Sequence, residues 1–486
     1  MLRPLFVAVL LAGLSGQAMA KTDLLTVYQE ALANSADLAA AQADALARQE
    51  VLPQTRALLL PNVGVGAGVA RKRIDVEGAG SDSYTTDYYQ ASLTQPLFRA
   101  DRWFNYQAAK SLSAQAQVEF SATQQNLILE VAEAYFNVLR ASDNLASARA
   151  EEEAFERQRD QARERFDVGL SARTDVLEAL AGYDSSRAAR LTAQTNLDVS
   201  YQALTRLTNR DYDDLMGMSH DLPILPPTPN DLQQWVTTAA AQNLNLQATR
   251  FAITSASETL RSSRSAYAPS VDAFVRYNNS GGGAEFGNQG AGGGVGAGQQ
   301  RNGDTELTSF GVELTMPLFT GGATSSGVRE SGYRLTQAEH NSEAQLRRVV
   351  ESTRNLYRTV TSSVEEVEAR RQAIISGKAA LDATQTGYEV GTRNVVDVLE
   401  AQRNLFSAVR DYNTVRYNYI IDNLSLKQSA GTLSPEDLVD LSRWLNPDYD
   451  PDRDFIPPFT EEEAERMSLG RQSSSEEEQP RMRSSF

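Results

Sequence analysis

The chain has 486 residues, a net charge of −17 and no cysteine. The acidic composition argues against a nucleic acid as the partner. The absence of cysteine excludes a disulfide framework, thiolate metal ligands, a cysteine nucleophile and a lipid anchor, which needs a cysteine after the signal.

Residues 1–20 predict a secretion signal. Arg3 supplies the basic start, Leu5–Leu14 the apolar core, and Ala18–Ala20 the small residues of a cleavage site. The apolar core is too short for a membrane helix, so we expect the mature chain to start near Lys21. No later apolar run is long enough to cross a membrane as a helix. Entry into a membrane would therefore require a closed barrel.

Two halves of the chain match at constant offsets, which predicts two structural repeats over residues 21–210 and 231–431. The matched positions are Asp23 with Asp231 and Pro61 with Pro269, at an offset of 208 (269 minus 61), then Tyr135 with Tyr357 and Asp175 with Asp397, at an offset of 222 (397 minus 175). The second repeat therefore contains about fourteen extra residues, and the Gly-rich run Gly281–Gly298 has room for them.

Each repeat is predicted to begin with a helical region. The first covers Asp23 to about Leu59, with a break near Asn34 and Ser35, and the second covers Asp231 to about Ala266. A proline ends each region, because the residue before a proline avoids helical geometry.

Two strands follow in each repeat, where apolar and polar residues alternate with a period of two. The four predicted strands lie near Val63–Ala70, Tyr88–Thr94, Val271–Asn278 and Ser309–Met316. Strands of a membrane barrel show this pattern, and so do the strands of a soluble sandwich. Pro96 and Pro317 are predicted to mark the exits from strand into helix.

Long helices come next. Arg99–Asp167 contains neither Gly nor Pro, and as a helix it would be about 100 Å long at about 1.5 Å per residue. Tyr333–Thr386 is the matching region of the second repeat. A second helix is predicted to return in each repeat, to about Thr208 and about Ser429.

The turns between these helices are the most similar parts of the two repeats. Phe166–Ala179 and Tyr388–Ala401 both contain an aromatic residue, then x-Val-Gly, a polar run, and Asp-Val-Leu-Glu-Ala. Gly169 and Gly391 are expected to adopt the left-handed conformation that ends a helix. Each turn is therefore predicted to form the tip of an antiparallel helical hairpin.

The remaining segments connect or end the repeats. Residues 211–230 are Pro-rich and are predicted to run along the helices between the repeats. Residues 432–445 are predicted to form a short helix, since Ser434 and Pro435 make a good helix start. Residues 446–486, acidic and poor in aliphatic side chains, are predicted to form a disordered tail.

Four strands cannot close a barrel, and an open sheet edge cannot face lipid. If the strands lie in a membrane, several chains must share one barrel: two chains would supply eight strands, and three would supply twelve strands and space for a channel.

An enzyme is not indicated, and neither is a cofactor. The two histidines, His220 and His340, lie far apart, and the Gly-rich run lacks the Gly-Lys-Ser/Thr ending of a phosphate-binding loop. Two other hypotheses compete with a channel. A structural or adhesive surface coiled coil would explain the helices but not the paired strands, and a stand-alone porin would need more strands and less helix.

Several motifs resemble the TolC family of trimeric outer-membrane channels, over nearly the whole mature chain to about residue 445. These motifs lie at Gln95–Phe98, Ala134–Val138, Tyr388–Glu400, Arg416–Tyr419 and Gly431–Leu433. The resemblance implies a membrane α+β fold. Four strands per chain would build a twelve-stranded outer-membrane barrel, continued by a long helical coiled-coil tunnel in the periplasm. It also implies a homotrimer whose partners are a periplasmic adaptor and an energised inner-membrane transporter.

The resemblance further implies a duct for multidrug efflux and type I protein secretion, with its gate at the periplasmic tips. The latch residues of that gate would be Asp175, Tyr388 and Arg393. Asp397 and Glu400, three apart on one helix face, would form two acidic rings that favour cations. The family commonly has Asp where this chain has Glu400. Spacing alone favours ordinary solvated charges at a helix end.

Overall fold

A computed structural model describes residues 21–76, 80–281 and 305–458. The expected signal at 1–20, nearly all of the Gly-rich run and residues 459–486 lie outside the described residues. The described chain divides into two compact units. One contains residues 21–40, 122–243 and 349–458, and the other contains residues 41–121 and 244–348 within the described ranges.

Helices dominate the described chain. In chain order they are α1 (Leu24–Asn34), α2 (Ala36–Gln49), α3 (Val51–Ala57), α4 (Ala100–Asp167), α5 (Arg173–Thr208), α6 (Leu232–Gln242), α7 (Leu244–Ser265), α8 (Ala323–Glu389), α9 (Val395–Ala430), α10 (Pro435–Ser442) and α11 (Pro451–Asp454). The strands are β1 (Asn62–Val76), β2 (Gly80–Phe98), β3 (Gly217–Met218), β4 (Ser270–Gly281), β5 (Thr305–Thr315) and β6 (Leu445–Asn446).

The opening helical region is broken in both repeats, not only in the first. Ser35 separates α1 from α2, and its hydroxyl accepts a hydrogen bond from the Leu38 amide at 3.3 Å. Asn243 separates α6 from α7, and its side-chain amide donates to the Ser429 carbonyl at 3.0 Å. Asn243 lies 208 positions after Ser35 (243 minus 35). The break predicted near Asn34 and Ser35 lies between α1 and α2, and the second repeat has a break at the equivalent position, between α6 and α7.

Four strands form one antiparallel sheet in the order β1-β2-β4-β5. Strand β2 continues to Phe98, and its register with β4 shifts between Pro96 and Phe98. The prediction that Pro96 marks the exit from the strand is wrong by two residues. A bulge accommodates the proline, which lacks a donor for the ladder. Strand β5 ends at Thr315, before Pro317, as predicted.

The sheet has two different faces. Directly opposite residues of antiparallel neighbours point to the same side, so the register assigns each side chain to a face. One face is apolar and includes Val63, Val65, Leu93, Val275, Val312 and Leu314. The other face carries glycine, polar and charged residues, together with Tyr88 and Phe274.

The first unit has an aromatic and aliphatic core. Its fully buried side chains include Val131, Tyr135, Phe136, Leu204, Met218 and Leu426. The Tyr135 hydroxyl donates to the Met216 carbonyl at 2.7 Å. This bond fastens the segment between the repeats to α4, so the segment runs along the helices without forming one.

The segment at 446–458 corrects the prediction of a tail that is disordered from residue 446. Strand β6 pairs with β3, joining Gly217 to Asn446, and α11 follows at Pro451. Phe455 is 4 % exposed and packs against Val409 and Tyr412. Aromatic side chains bury enough apolar area to order this short stretch despite its acidic composition.

Candidate functional site: the paired helical tips

Gly169 and Gly391 end the long helices α4 and α8 in the same conformation. Their φ angles are 77° and 80°, in the left-handed region, as predicted. The residue after each glycine closes the turn: the Leu170 amide donates to the Arg165 carbonyl at 2.7 Å, and the Thr392 amide donates to the Gly387 carbonyl at 2.8 Å. A side chain at either glycine would meet nothing within 4 Å. Backbone conformation alone therefore favours glycine at the two tips.

An aspartate holds the start of the returning helix at each tip. The Asp175 carboxylate accepts the Ala172 amide at 3.2 Å, and the Asp397 carboxylate accepts the Asn394 amide at 3.3 Å. In the second tip the Asn394 side chain accepts the Asp397 amide in return, at 2.9 Å. The second tip has a complete reciprocal cap, whereas Ala172 cannot supply the other half in the first.

An apolar cluster packs beneath the tips. Its buried members are Phe155, Tyr388, Val395, Val398 and Leu399. They come from α4, α8 and α9, so this cluster joins the two hairpins. The cluster fixes where the polar residues of each tip lie.

Two arginines of α4 lie over tyrosine rings near this cluster. The Arg165 guanidinium is 4.5 Å from the centre of the Tyr388 ring, and that of Arg159 is 4.3 Å from the centre of the Tyr183 ring. Cation–π contacts of this kind stabilise a pair by roughly 0.5–1 kcal/mol at exposed sites. Neither arginine could be identified from the sequence alone, because no spacing within one repeat indicates a partner in another helix.

The latch residues Asp175, Tyr388 and Arg393 do not bond to one another within this chain. Arg393 is exposed and lies 3.9 Å from an oxygen of Asp397, one helical turn away. The Tyr388 hydroxyl is buried, and it has no hydrogen-bond partner among the residues that the structure describes. A buried hydroxyl without a partner is costly, so Tyr388 has an unused donor at the tip.

Asp397 and Glu400 lie in the first two turns of α9. The Asp397 side chain is 34 % exposed, and Glu400 is exposed. Their spacing of three residues puts both carboxylates on one side of the helix. The Asp397 carboxylate also accepts the hydrogen bond that caps its helix. Among the described residues, the Glu400 carboxylate forms no hydrogen bond or ion pair that stabilises the fold.

A second polar cluster is buried where the segment at 446–458 meets α4 and α9. The Asp143 carboxylate accepts hydrogen bonds from the hydroxyls of Tyr417 and Tyr449, each at 2.8 Å. Arg416, 1 % exposed, donates to the carbonyls of Met218 and Ser219. Burial raises the pKa of Asp143 to about 6, against the hydrogen bonds and the nearby Arg416 charge, which lower it.

Neither a membrane-spanning helix nor a metal-binding cluster is found among the described residues. No helix in residues 21–76, 80–281 and 305–458 combines the length and apolar character needed to cross a membrane. In the same ranges, no three His, Asp or Glu side chains are grouped to hold a metal ion.

The profile of the Outer membrane efflux protein family matches residues 27–210 and 235–432. The chain is 35 % identical to the outer membrane protein TolC of Vibrio cholerae serotype O1 over 444 residues, which cover 91 % of this chain and 98 % of that one. It is 26 % identical to the alkaline protease secretion protein AprF of Pseudomonas aeruginosa over 427 residues, covering 85 % of each chain. The crystal structure of the outer membrane protein VceC from Vibrio cholerae has a similar fold, with a TM-score of 0.70 and 18 % identity over 84 % of this chain and 96 % of that one.

Proposed function

The chain belongs to the outer membrane efflux protein family, and we propose that it forms an exit duct that carries cargo across the outer membrane. The protein lies in the outer membrane and extends into the periplasm, as the family does. A channel, rather than an enzyme, is the activity of this family.

One observation carries the proposal: the sheet has an apolar face and two unpaired edges. Strands β1 and β5 are the edges of the order β1-β2-β4-β5. An apolar face is unfavourable in water, and an unpaired strand edge is unfavourable in lipid, so this sheet needs both lipid and neighbouring strands. In the antiparallel order, β5 of one copy can pair with β1 of the next. We propose a homotrimer, because three copies supply twelve strands (three times four) and leave space for a channel.

The proposed cargo is of two kinds. Multidrug efflux would carry small molecules, and type I secretion would carry proteins. Efflux is the activity named in the family description. Secretion is supported by the likeness to AprF, whose name describes alkaline protease secretion.

The proposed partners are a periplasmic adaptor protein and an inner-membrane transporter. The sequence has no phosphate-binding loop ending in Gly-Lys-Ser/Thr, so the energy for export would come from the transporter. Exposed polar groups at the tips, above all the Arg393 guanidinium, give a second molecule something to bond.

We propose that the tips are the gate of this duct. Asp175, Tyr388 and Arg393 would act as a latch by bonding to side chains of a neighbouring copy, since they do not bond to each other within one chain. Asp397 and Glu400 would form the acidic rings of the constriction, where three copies of each carboxylate favour cations over anions.

Planar-bilayer recordings with the purified protein, together with its mass in detergent, test this function. We expect the mass of a trimer and a small, cation-selective conductance. A trimer that never conducts, although its helices are folded, would instead favour a structural surface coiled coil. A conducting monomer would contradict the shared barrel and favour a stand-alone porin.

A further inference from the structure

Glycines cluster on the polar face of the sheet that β1, β2, β4 and β5 form. In an outer-membrane barrel the apolar face contacts lipid and the polar face lines the lumen. We therefore call the polar face the lumen face. It carries Gly64, Gly66 and Gly68 on β1 and Gly311 on β5.

Each of the four glycines lies directly opposite a larger side chain on the neighbouring strand. The register pairs Gly64 with Ser92, Gly66 with Gln90, Gly68 with Tyr88, and Gly311 with Phe274. Opposite residues share a face, so each larger side chain is also on the lumen face.

The Tyr88 ring occupies the volume that a side chain at position 68 would fill. A Cβ atom at Gly68 would lie 2.7 Å from Cζ and 2.8 Å from the hydroxyl oxygen of Tyr88. Real Cβ atoms do not approach other atoms this closely. The ring therefore lies flat over the backbone of the neighbouring strand β1 and does not project from the sheet into the lumen.

Phe274 lies opposite Gly311 in a looser form of this arrangement, where an added side chain would make the contact tight rather than overlapping, and a guanidinium also lies over its ring. A Cβ atom at Gly311 would lie 3.2 Å from Cζ of Phe274. The Arg276 guanidinium is 4.2 Å from the centre of the Phe274 ring and 3.5 Å from a carboxylate oxygen of Glu313. The ring is thus held between a bare stretch of backbone and an arginine that is itself paired with an acid.

Backbone geometry does not explain these two glycines. The glycines with positive φ are Gly169, Gly321, Gly322, Gly391 and Gly431 among the described residues. Gly68 and Gly311 are outside this set, so a larger residue could adopt their strand conformation. Glycine also weakens a strand relative to residues with side chains. The space that the opposite ring needs is the remaining reason for glycine at both positions.

We propose that Gly68 and Gly311 determine the width of the barrel lumen, because they let the Tyr88 and Phe274 rings lie flat against its wall. This inference rests on the proposed duct. In a trimer each ring occurs three times around the lumen. A ring that tilts away from the wall points into the lumen and narrows the path for bulky cargo, while small solutes still pass.

The absence of cysteine from the chain makes this testable by labelling. Thr315 lies on the lumen face at the end of β5 that leads to α8, and it is exposed. A reagent that enters the lumen from outside the cell must therefore pass the Tyr88 and Phe274 rings before it can react with a Thr315→Cys reporter. Intact cells would be treated with a small methanethiosulfonate reagent or with a maleimide on a bulky poly(ethylene glycol) chain.

We expect Gly68→Val to slow labelling by the bulky reagent at least fivefold and to leave labelling by the small reagent unchanged. Tyr88→Ala in the same chain should restore the bulky reagent's rate, because no ring remains to be displaced. Gly311→Val, with Phe274→Ala as its rescue, repeats the test at the second ring. Ala67→Val is the matched control, since it places a valine on the same strand but on the apolar face.

The outcomes separate the inference from the proposed function. If the bulky reagent does not label Thr315→Cys in the otherwise unchanged protein, no lumen opens to the outside, and both fail. If it labels that reporter equally fast in both glycine variants, only the inference on lumen width fails. A slow rate that persists after the rings are removed also overturns it, because the added valine, and not the ring, would then be the obstacle.

Discussion

The Tyr449 hydroxyl donates a hydrogen bond to the buried Asp143 carboxylate at 2.8 Å, although the two residues are 306 positions apart. Tyr417 of α9 donates to the other oxygen of the same carboxylate, also at 2.8 Å. One acid on α4 therefore joins the second repeat and the segment at 446–458. The pairing explains why an acidic, proline-containing stretch is ordered after the last long helix.

Tyr449→Phe should release this segment from α4. The change leaves a buried carboxylate oxygen without one of its donors, which costs about 1–3 kcal/mol. Hydrogen–deuterium exchange over residues 446–458 should become faster. Tyr357→Phe is the control, because the Tyr357 hydroxyl donates to Asn230 at an exposed site, at 2.7 Å. Equal protection of the segment in both variants would show that apolar packing alone holds it.

Asp143 should make stability depend on pH in an unusual direction. Its pKa rises from 3.8 to about 6 on folding, so the folded state keeps a proton that the unfolded chain has lost between these values. The contribution of Asp143 to the free energy of unfolding has its highest value below pH 4. It falls by about 3 kcal/mol as the pH rises to 6, and it is constant above that.

Comparison with Asp143→Asn isolates this effect, because asparagine does not titrate. The melting temperature of the native protein minus that of the variant should decrease from pH 4 to pH 6.5 and then level off. Tyr417, Tyr449 and Arg416 still face position 143 in both proteins. A temperature difference that is constant across this range would mean that Asp143 titrates at an ordinary pKa.

Arg393→Ser should increase the single-channel conductance severalfold. A charge pair at an exposed site contributes up to about 1 kcal/mol, and a trimer contains three copies. Loss of three pairs would shift the gate toward its open state. Arg403→Ser removes an exposed arginine further along α9 and should leave the conductance unchanged. The same conductance in both variants would place the gate elsewhere.

Glu400→Gln should lower the preference for cations and leave the fold unchanged. The substitution removes three negative charges from the constriction, and Glu400 caps no helix. Asp397 is less suitable because its carboxylate also accepts the Asn394 amide. Reversal potentials in a salt gradient measure the preference. Glu153→Gln on α4, where the carboxylate is 71 % exposed, is the control. If the two variants have equal reversal potentials, the ring is not at Glu400.

Local signals in the sequence were sufficient for the long helices, the four strands of the large sheet and the tips. The strands alternate with a period of two, the long helices lack Gly and Pro, and Gly169 and Gly391 end them with positive φ. These features depend on the backbone preferences of residues that are close together in the chain, so they can be predicted from a single sequence. The family resemblance likewise rests on contiguous motifs, and the profile match agrees with it.

Tertiary structure decided what depends on distant partners. The side chain of Asn243, where α6 ends, donates to the Ser429 carbonyl, and the Asp143 carboxylate is bonded by hydroxyls that follow it by more than 270 positions. The rings of Tyr88 and Phe274 lie flat because the register places a glycine opposite each. A one-residue change of register would put other side chains there, and alternation alone does not specify which residues face each other. Sequence periodicity determines which face a side chain occupies, whereas packing determines what it meets there.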